Sequence, residues 1–181
     1  MRSPKIKALG EVGLDFQARH MGKQEEVLRY ILRAYADPAK PVILHLRGPR
    51  GNEDVAYSRG LKLARECLDK TQPIQLHCFN GGSAAFAQWR EHFPNVYASF
   101  SGLVTSFTED QKRGLKGVPA ERLLLETDAP YLPTVGKKND NTPHHLGDVA
   151  VAVASVREEP VSEIIARANQ NLCRLFRIPS A

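Results

Sequence analysis

Four polar residues stand at the ends of apolar, strand-like runs, and all four are of types that bind divalent metals. Glu11 follows Lys-Ala-Leu-Gly, and His45 follows Pro-Val-Ile-Leu. His77 follows Ile-Gln-Leu, and Asp128 follows Leu-Leu-Leu-Glu-Thr. Carboxylate oxygens and imidazole nitrogens are the usual ligands of catalytic cations. In a parallel α/β barrel the C-terminal ends of the strands share the face where catalysis occurs. The pattern therefore indicates a metal-assisted hydrolase.

Each of the four residues also has a simpler interpretation. A single glutamate after a strand is often an exposed loop residue, and a single histidine in an apolar strand is often a hydrogen-bonded core residue. An aspartate before proline, as at Asp128, is common in turns. His45 and His77 both follow an apolar strand-like run, about one βα unit apart. This recurrence favours a role as metal ligands over a role in core packing. Asp128 is a candidate metal ligand or a general base acting on a metal-bound water.

Three further residues are weaker candidates for contacts to a substrate phosphate. Arg47 lies two residues after His45, and a guanidinium binds phosphate well; a solvated arginine is the alternative. Gly81 and Gly82 precede a predicted helix start at Ser83, where backbone N–H groups can bind a phosphate oxygen. A tight turn explains these two glycines equally well. Asp15 is a candidate to support the metal ligands or to cap a helix, and Glu126 is expected to pair with a neighbour on the sheet or the surface.

Five strand-like runs alternate with helical patterns along the chain. The predicted strands cover residues 6–14, 41–46, 74–79, 96–103 and 122–127. The predicted helices cover residues 24–36, 53–68, 83–93, 108–115, 146–156 and 162–175. Such alternation predicts parallel βαβ units with right-handed crossovers. Gly60 is expected to weaken the second helix by about 1 kcal/mol relative to alanine.

Composition and length favour one hydrolase domain over residues 1–181. The 181 residues are 42% hydrophobic and 25% charged, as in globular domains. The sequence has no apolar run near the ~20 residues that span a bilayer, which argues against a membrane protein. Three cysteines without a Cys-x-x-Cys pair favour reduced thiols and hence the cytoplasm or nucleus. A net charge of +5 is weak support for a nucleic-acid partner.

The number of strands is too small for a complete barrel. A closed (β/α)₈ barrel needs eight strands and usually ~250 residues, whereas this chain offers five strands in 181 residues. The fold is therefore expected to be an open sheet or a barrel without its first βα units.

Several segments together resemble the TatD family of metal-dependent deoxyribonucleases, which are amidohydrolase-like barrels. The matching segments are GEVGLD at 10–15, PVILH at 41–45, HCFNG at 77–81, FSG at 100–102 and ETDAPY at 126–131. The resemblance implies a (β/α)₈ TIM-barrel type, here incomplete with about five parallel strands. It implies that Glu11 bridges two metals, that His45 and His77 bind one of them, and that Asp128 is a ligand or base at the other. The family also opens with a His-x-His pair that this sequence lacks, so we expect a fragment, an alternative product or a mis-started gene model.

The resemblance implies hydrolysis of phosphodiester bonds in DNA, with a 3′-5′ exonuclease as one form. One or two divalent cations are implied, and zinc, manganese and magnesium all suit mixed histidine and carboxylate ligands. Glu11 and Asp128 are the expected catalytic residues. Two alternatives remain open. One is a catalytically impaired remnant that binds nucleic acid or a protein partner, and the other is a metal-dependent hydrolase of a small amide or phosphoester.

Overall fold

The computed structural model describes residues 5–133 and 141–179, and these residues form two compact units. The first unit contains the residues through His77 together with Ala87–Tyr97. The second contains Cys78–Phe86 together with the residues from Ala98 onward. The single hydrolase domain expected over residues 1–181 stays a prediction.

In the part of the chain that the structure describes, five strands and six α-helices alternate as the sequence predicts. The strands are β1 (Leu9–Asp15), β2 (Val42–Arg47), β3 (Ile74–His77), β4 (Val96–Phe100) and β5 (Leu123–Leu125). The helices are α1 (Met21–Tyr35), α2 (Asp54–Cys67), α3 (Ala85–His92), α4 (Glu109–Gly117), α5 (Leu146–Arg157) and α6 (Val161–Phe176). Hydrogen bonding follows the order β1-β2-β3-β4-β5, with parallel pairing. The predicted α/β class with five parallel strands is confirmed.

Several element boundaries differ from those expected. β3 ends at His77 because the next residue, Cys78, has a left-handed backbone with φ of 47°. β4 ends at Phe100, since Gly102–Ser106 forms a 3₁₀ helix. α3 begins at Ala85 rather than at Ser83. α4 begins as predicted after Thr108, whose side chain accepts a hydrogen bond from the backbone of Gln111.

In the first unit the sheet and its helices share a core of leucine and aromatic side chains. Leu14 of β1, Leu44 of β2 and Leu76 of β3 are at most 1% exposed. Trp89 of α3 is also fully buried, and its indole N–H donates a hydrogen bond to the carbonyl of Tyr57 at 3.1 Å. Along β2, Leu44 and Leu46 are buried while His45 between them is half-buried, because successive strand residues point to opposite faces.

In the second unit the ring of Phe79, just after β3, packs edge to face with the rings of two other phenylalanines. The ring of Phe79 lies 6.0 Å from that of Phe86 and 5.9 Å from that of Phe100. α6 is joined to the β5 strand by Asn171, a buried residue whose amide donates to the carbonyls of Ala120 at 2.8 Å and Leu123 at 2.9 Å. The buried amide therefore fixes the entry into β5.

Two glycines permit close packing around β2. A Cβ on Gly60 of α2 would lie 2.7 Å and 2.8 Å from the methyl groups of Leu46, so the expected cost of a glycine in this helix is offset by contact with the sheet. A Cβ on Gly13 of β1 would lie 1.7 Å from the carbonyl oxygen of His45. Any side chain at residue 13 would therefore separate β1 from β2.

Gly13→Ala tests how far the pairing of β1 with β2 depends on this close approach. We expect it to destabilise the fold by about 3 kcal/mol, the upper end for overpacking, because a backbone atom of His45 must move. Urea denaturation measures the loss. Gly117→Ala is the matched control, since a Cβ at this helical position meets nothing within 4 Å. Equal stability of the two variants would contradict the account.

A half-buried ion-pair cluster joins α1 to α2. Glu25 is 8% exposed and accepts two hydrogen bonds from the guanidinium of Arg59, at 2.5 Å and 2.8 Å. Arg29 lies 3.7 Å from the same carboxylate and 3.0 Å from that of Glu66. The hydrogen bonds from Arg59 hold the pKa of Glu25 below its ordinary value, although burial opposes this effect.

Glu25→Gln tests how much this cluster contributes to the free energy of unfolding, because the contribution depends on pH. Because the pKa of Glu25 is lowered on folding, its stabilisation is fully present above the ordinary value of 4.5 and is lost as the pH falls through the folded-state value. We expect the variant to unfold at lower urea concentration at neutral pH, with a gap that shrinks below pH 4.5. The control is Glu26→Gln, whose partner is the exposed Lys23. A gap independent of pH would refute the assignment.

Candidate metal centre

The pairing of three neighbouring strands determines where the candidate ligands lie. In the parallel register Gly13 of β1 lies opposite His45 of β2, and His45 lies opposite His77 of β3. Residues opposite each other in parallel strands project from the same face, so the two imidazoles are neighbours. Glu11 lies in β1 within the irregular stretch of pairing between Leu9 and Val12. It is thus inside a strand and not in a loop after it.

The three side chains converge on one point. A carboxylate oxygen of Glu11 lies 2.5 Å from Nδ1 of His45, and the other lies 3.5 Å from Nε2 of His77. The two imidazole rings are 5.9 Å apart between centroids, with an angle of 32° between their planes. The structure thus brings these three side chains together, and their role as metal ligands stays a prediction.

Exposure differs among the three residues in a way that suits a reaction centre. The side chain of His77 is 10% exposed, whereas those of His45 and Glu11 are 36% and 42% exposed. The imidazole of His77 is thus mostly covered by protein, and the other two groups face solvent. Water or a substrate can therefore approach the cluster from the side of Glu11 and His45.

The donor atoms fit a divalent metal. One ligand atom from each residue lies within 4.8 Å of the others. Ligands around one tetrahedral zinc ion are roughly 3–4 Å apart, so the spacing is suitable. Two imidazole nitrogens and a carboxylate oxygen suit zinc, and also manganese and other first-row divalent ions. Each histidine binds metal only when neutral.

Asp128 lies in the second unit, in the turn that follows β5. Its backbone is left-handed, with φ of 56°, which is uncommon for a residue other than glycine. In the same unit the carboxylate of Glu126 accepts a hydrogen bond from the backbone N–H of Cys78 at 2.5 Å, which agrees with the expected pairing on the sheet. The pKa of the Cys78 thiol is raised by burial and by the charges of Glu126 and Asp128. The role of Asp128 at the metal stays a prediction.

The candidate phosphate contacts have partners within the protein. A guanidinium nitrogen of Arg47 lies 3.5 Å from a carboxylate oxygen of Asp15, and its side chain is 52% exposed. Gly81 and Gly82 are buried, and both carbonyl oxygens lie where a Cβ on Gly114 would meet them. A Cβ on Gly81 would itself lie 2.8 Å from side-chain atoms of Ala85 and Phe79, so close packing explains the absence of a side chain at this residue. A role for the three residues at a phosphate stays a prediction.

Sequence reasoning missed two amide side chains that support the candidate residues. Gln24 of α1 accepts from the backbone N–H of Asp15 at 2.8 Å and donates to its carbonyl at 3.0 Å, which fixes the end of β1. Asn141 is 5% exposed and donates to the carbonyl of Thr127 at 2.6 Å, beside Asp128. No spacing or motif marks either residue, because the partners lie 9 and 14 residues away along the chain.

Comparison with known families and proteins identifies the family of this chain and agrees with its architecture. The family model for TatD-related DNases matches residues 1–177. A 3′-5′ ssDNA/RNA exonuclease TatD from Klebsiella pneumoniae is 34% identical over 191 residues, which cover 98% of this chain and 67% of that protein. A human 3′-5′ RNA nuclease is 28% identical over 186 residues, covering 98% of this chain and 24% of its own length. The chain belongs to the TatD-related DNase family, as the sequence motifs predicted.

Solved structures agree with this assignment at the level of the fold. A TatD homologue from Escherichia coli has a TM-score of 0.72 and 26% identity, over 98% of this chain and 66% of that chain. A TatD family hydrolase from Entamoeba histolytica has a TM-score of 0.75 and 19% identity, over 97% and 64%. The expected TIM-barrel type is confirmed by these neighbours. This chain spans about two thirds of the bacterial relatives and of the solved structures, and a quarter of the human relative.

Among residues 5–133 and 141–179, no helix has the length and apolar character required to cross a membrane.

His77→Ala tests the metal centre. We expect the wild-type chain to bind Mn²⁺ or Zn²⁺ in isothermal titration calorimetry, and the variant to bind about 100-fold more weakly because it loses the most buried ligand. His92→Ala serves as the control, since this exposed ring interacts with its own helix through the carbonyl of Gln88. If both variants bind metal like the wild type, the cluster is not the binding site.

Proposed function

We propose that this chain is a metal-dependent nuclease that hydrolyses phosphodiester bonds in DNA, and that RNA is also within its range. The observation that carries the proposal is the convergence of Glu11, His45 and His77. Membership of the TatD-related DNase family supports it. Relatives named as a 3′-5′ ssDNA/RNA exonuclease and as a 3′-5′ RNA nuclease favour single strands attacked from a 3′ end.

The cofactor is one or two divalent cations, with magnesium, manganese or zinc as candidates. Glu11, His45 and His77 would hold one ion, and Asp128 is the candidate ligand or base for a second. When bound, such an ion polarises the phosphate and lowers the pKa of its water. A relative named as a metal-dependent hydrolase, 34% identical over 180 residues, supports the use of a metal.

The protein groups have separate tasks in this proposal. Asp128 accepts a proton from the attacking water, and the carboxylate of Glu11 orients its neighbours His45 and His77 through direct contacts. Arg47 is exposed, and its 3.5 Å contact with Asp15 is open to exchange for a phosphate oxygen. Contacts to the phosphate backbone of a nucleic acid do not distinguish one base from another, so we expect cleavage to be independent of base sequence.

The cysteines support our proposal for the cellular compartment. The described Cys67, Cys78 and Cys173 form no disulfide. Reduced thiols are typical of the cytoplasm and nucleus, and we propose one of these compartments.

Single-turnover cleavage of a labelled single-stranded oligonucleotide tests the proposal. We expect the chain to shorten DNA and RNA only when Mg²⁺, Mn²⁺ or Zn²⁺ is added after treatment with a chelator. Glu11→Gln, His77→Ala and Asp128→Asn should each lower the rate by about 100-fold or more, which corresponds to ~2.7 kcal/mol of lost transition-state stabilisation.

His92→Ala should cleave within about twofold of the wild type, as expected for a surface substitution outside the cluster. Two outcomes would refute the proposal in different directions. A folded, metal-binding chain that cleaves no nucleic acid would favour a remnant that binds nucleic acid or a protein. Faster turnover of a cyclic amide than of DNA would favour a small-molecule hydrolase.

A further inference from the structure

The turn that carries Asp128 has a conformation that the backbone does not favour by itself. Asp128 and Leu132 have left-handed φ values of 56° and 52°. Left-handed backbone at residues other than glycine is disfavoured, and it persists only where neighbouring groups enforce it. Within the turn, the N–H of Tyr131 donates to the carbonyl of Asp128 at 2.8 Å, and the N–H of Ala129 donates to the hydroxyl of Thr127 at 3.3 Å.

The buried amide of Asn141 binds the turn on both sides of Asp128. Its nitrogen donates to the carbonyl of Thr127 at 2.6 Å, and to the carbonyls of Tyr131 and, at 3.4 Å, Leu132. Three carbonyls around one terminal atom define it as the NH₂ group, because an oxygen there would face only acceptors. Residues 127 and 131 are thereby held to a common point, and Asp128 is held between them.

Burial limits the movement of this amide. Its carbonyl oxygen lies 3.3 Å from Nδ1 of His145, and the same ring nitrogen accepts a hydrogen bond from the backbone N–H of Thr142 at 3.3 Å. The Asn141 side chain is 5% exposed, so water is a poor substitute for its donor hydrogens. The amide has little freedom to turn away from the three carbonyls.

We propose that Asn141 is a positioning residue that sets the conformation of the Asp128 turn and so directs the Asp128 carboxylate. Its effect on turnover rests on the proposed nuclease function, whereas its effect on the turn does not. Asn141 itself does not touch substrate or metal in this scheme. It acts through the backbone of Thr127 and Tyr131.

The chain offers a matched control in Asn171. This asparagine is 2% exposed and likewise donates to two backbone carbonyls, those of Ala120 and Leu123, at the other end of β5. Asn141→Leu and Asn171→Leu both remove a buried donor from backbone carbonyls and keep a branched side chain of similar size. Both are expected to lower the melting temperature, and only the first alters the turn.

Hydrogen exchange of the metal-free proteins, below both melting temperatures, tests the conformational role. We expect the backbone N–H groups of Ala129 and Tyr131, which are hydrogen-bonded within the turn, to exchange about tenfold faster in Asn141→Leu than in the wild type, and at the wild-type rate in Asn171→Leu. Asn141→Ala, which avoids a larger side chain, replaces Asn141→Leu if that variant does not fold. Wild-type exchange in the turn of the folded Asn141 variant would overturn the inference.

Oligonucleotide cleavage by the metal-loaded proteins tests the consequence for catalysis. We expect kcat to fall by about tenfold or more in Asn141→Leu with little change in KM, because a misplaced catalytic group affects the chemical step. Asn171→Leu should retain the wild-type kcat. A wild-type kcat in Asn141→Leu would overturn the positioning role, whereas a wild-type chain without turnover would refute the proposed function and leave the exchange result to decide the role in the turn.

Discussion

The parallel pairing of β1, β2 and β3 is the constraint on which the candidate metal centre depends. His45 lies opposite both Gly13 and His77 in this register, so the two imidazoles share one face of the sheet. If the pairing of β2 slipped by one residue, His45 would point to the face that Leu44 and Leu46 now occupy, because side chains along a strand alternate between the two faces. The centre is thus a consequence of the hydrogen-bond ladder, and side-chain contacts such as that of Glu11 refine it.

Helix α1 links the strand that carries Glu11 to the rest of the first unit. Gln24 binds the backbone of Asp15 at the end of β1, and the adjacent residue, Glu25, binds Arg59 of α2. Desolvation offsets much of the attraction within a buried ion pair, although removal of one partner leaves the other charge uncompensated and destabilises the fold. The geometric effect of these contacts is larger here, because one turn of α1 fixes both the end of β1 and the packing of α2.

The apolar runs and their alternation with helical patterns were sufficient to predict the strands and the helices, and the polar residues at the strand ends pointed to the three side chains that converge. The exact ends were not predictable, since β3 stops where Cys78 adopts a left-handed backbone, and neighbouring residues do not reveal that choice. Gln24 and Asn141 were missed for a related reason. A polar side chain that binds distant backbone carbonyls has the same local appearance as an exposed one. Only the folded chain distinguishes the two cases.

The two candidate carboxylates are held in physically different ways. Glu11 lies on a strand, in an irregular stretch of pairing that is bounded on both sides by backbone hydrogen bonds to the neighbouring strand, so the constraint is distributed over many residues. Asp128 lies in a left-handed turn, where the constraint rests largely on the single buried amide of Asn141. Loss of one ladder hydrogen bond leaves its neighbours in place, whereas loss of one amide releases carbonyls on both sides of Asp128 together. The position of a carboxylate in a turn therefore depends on fewer groups than that of a carboxylate on a strand. These groups need no contact with the reacting atoms.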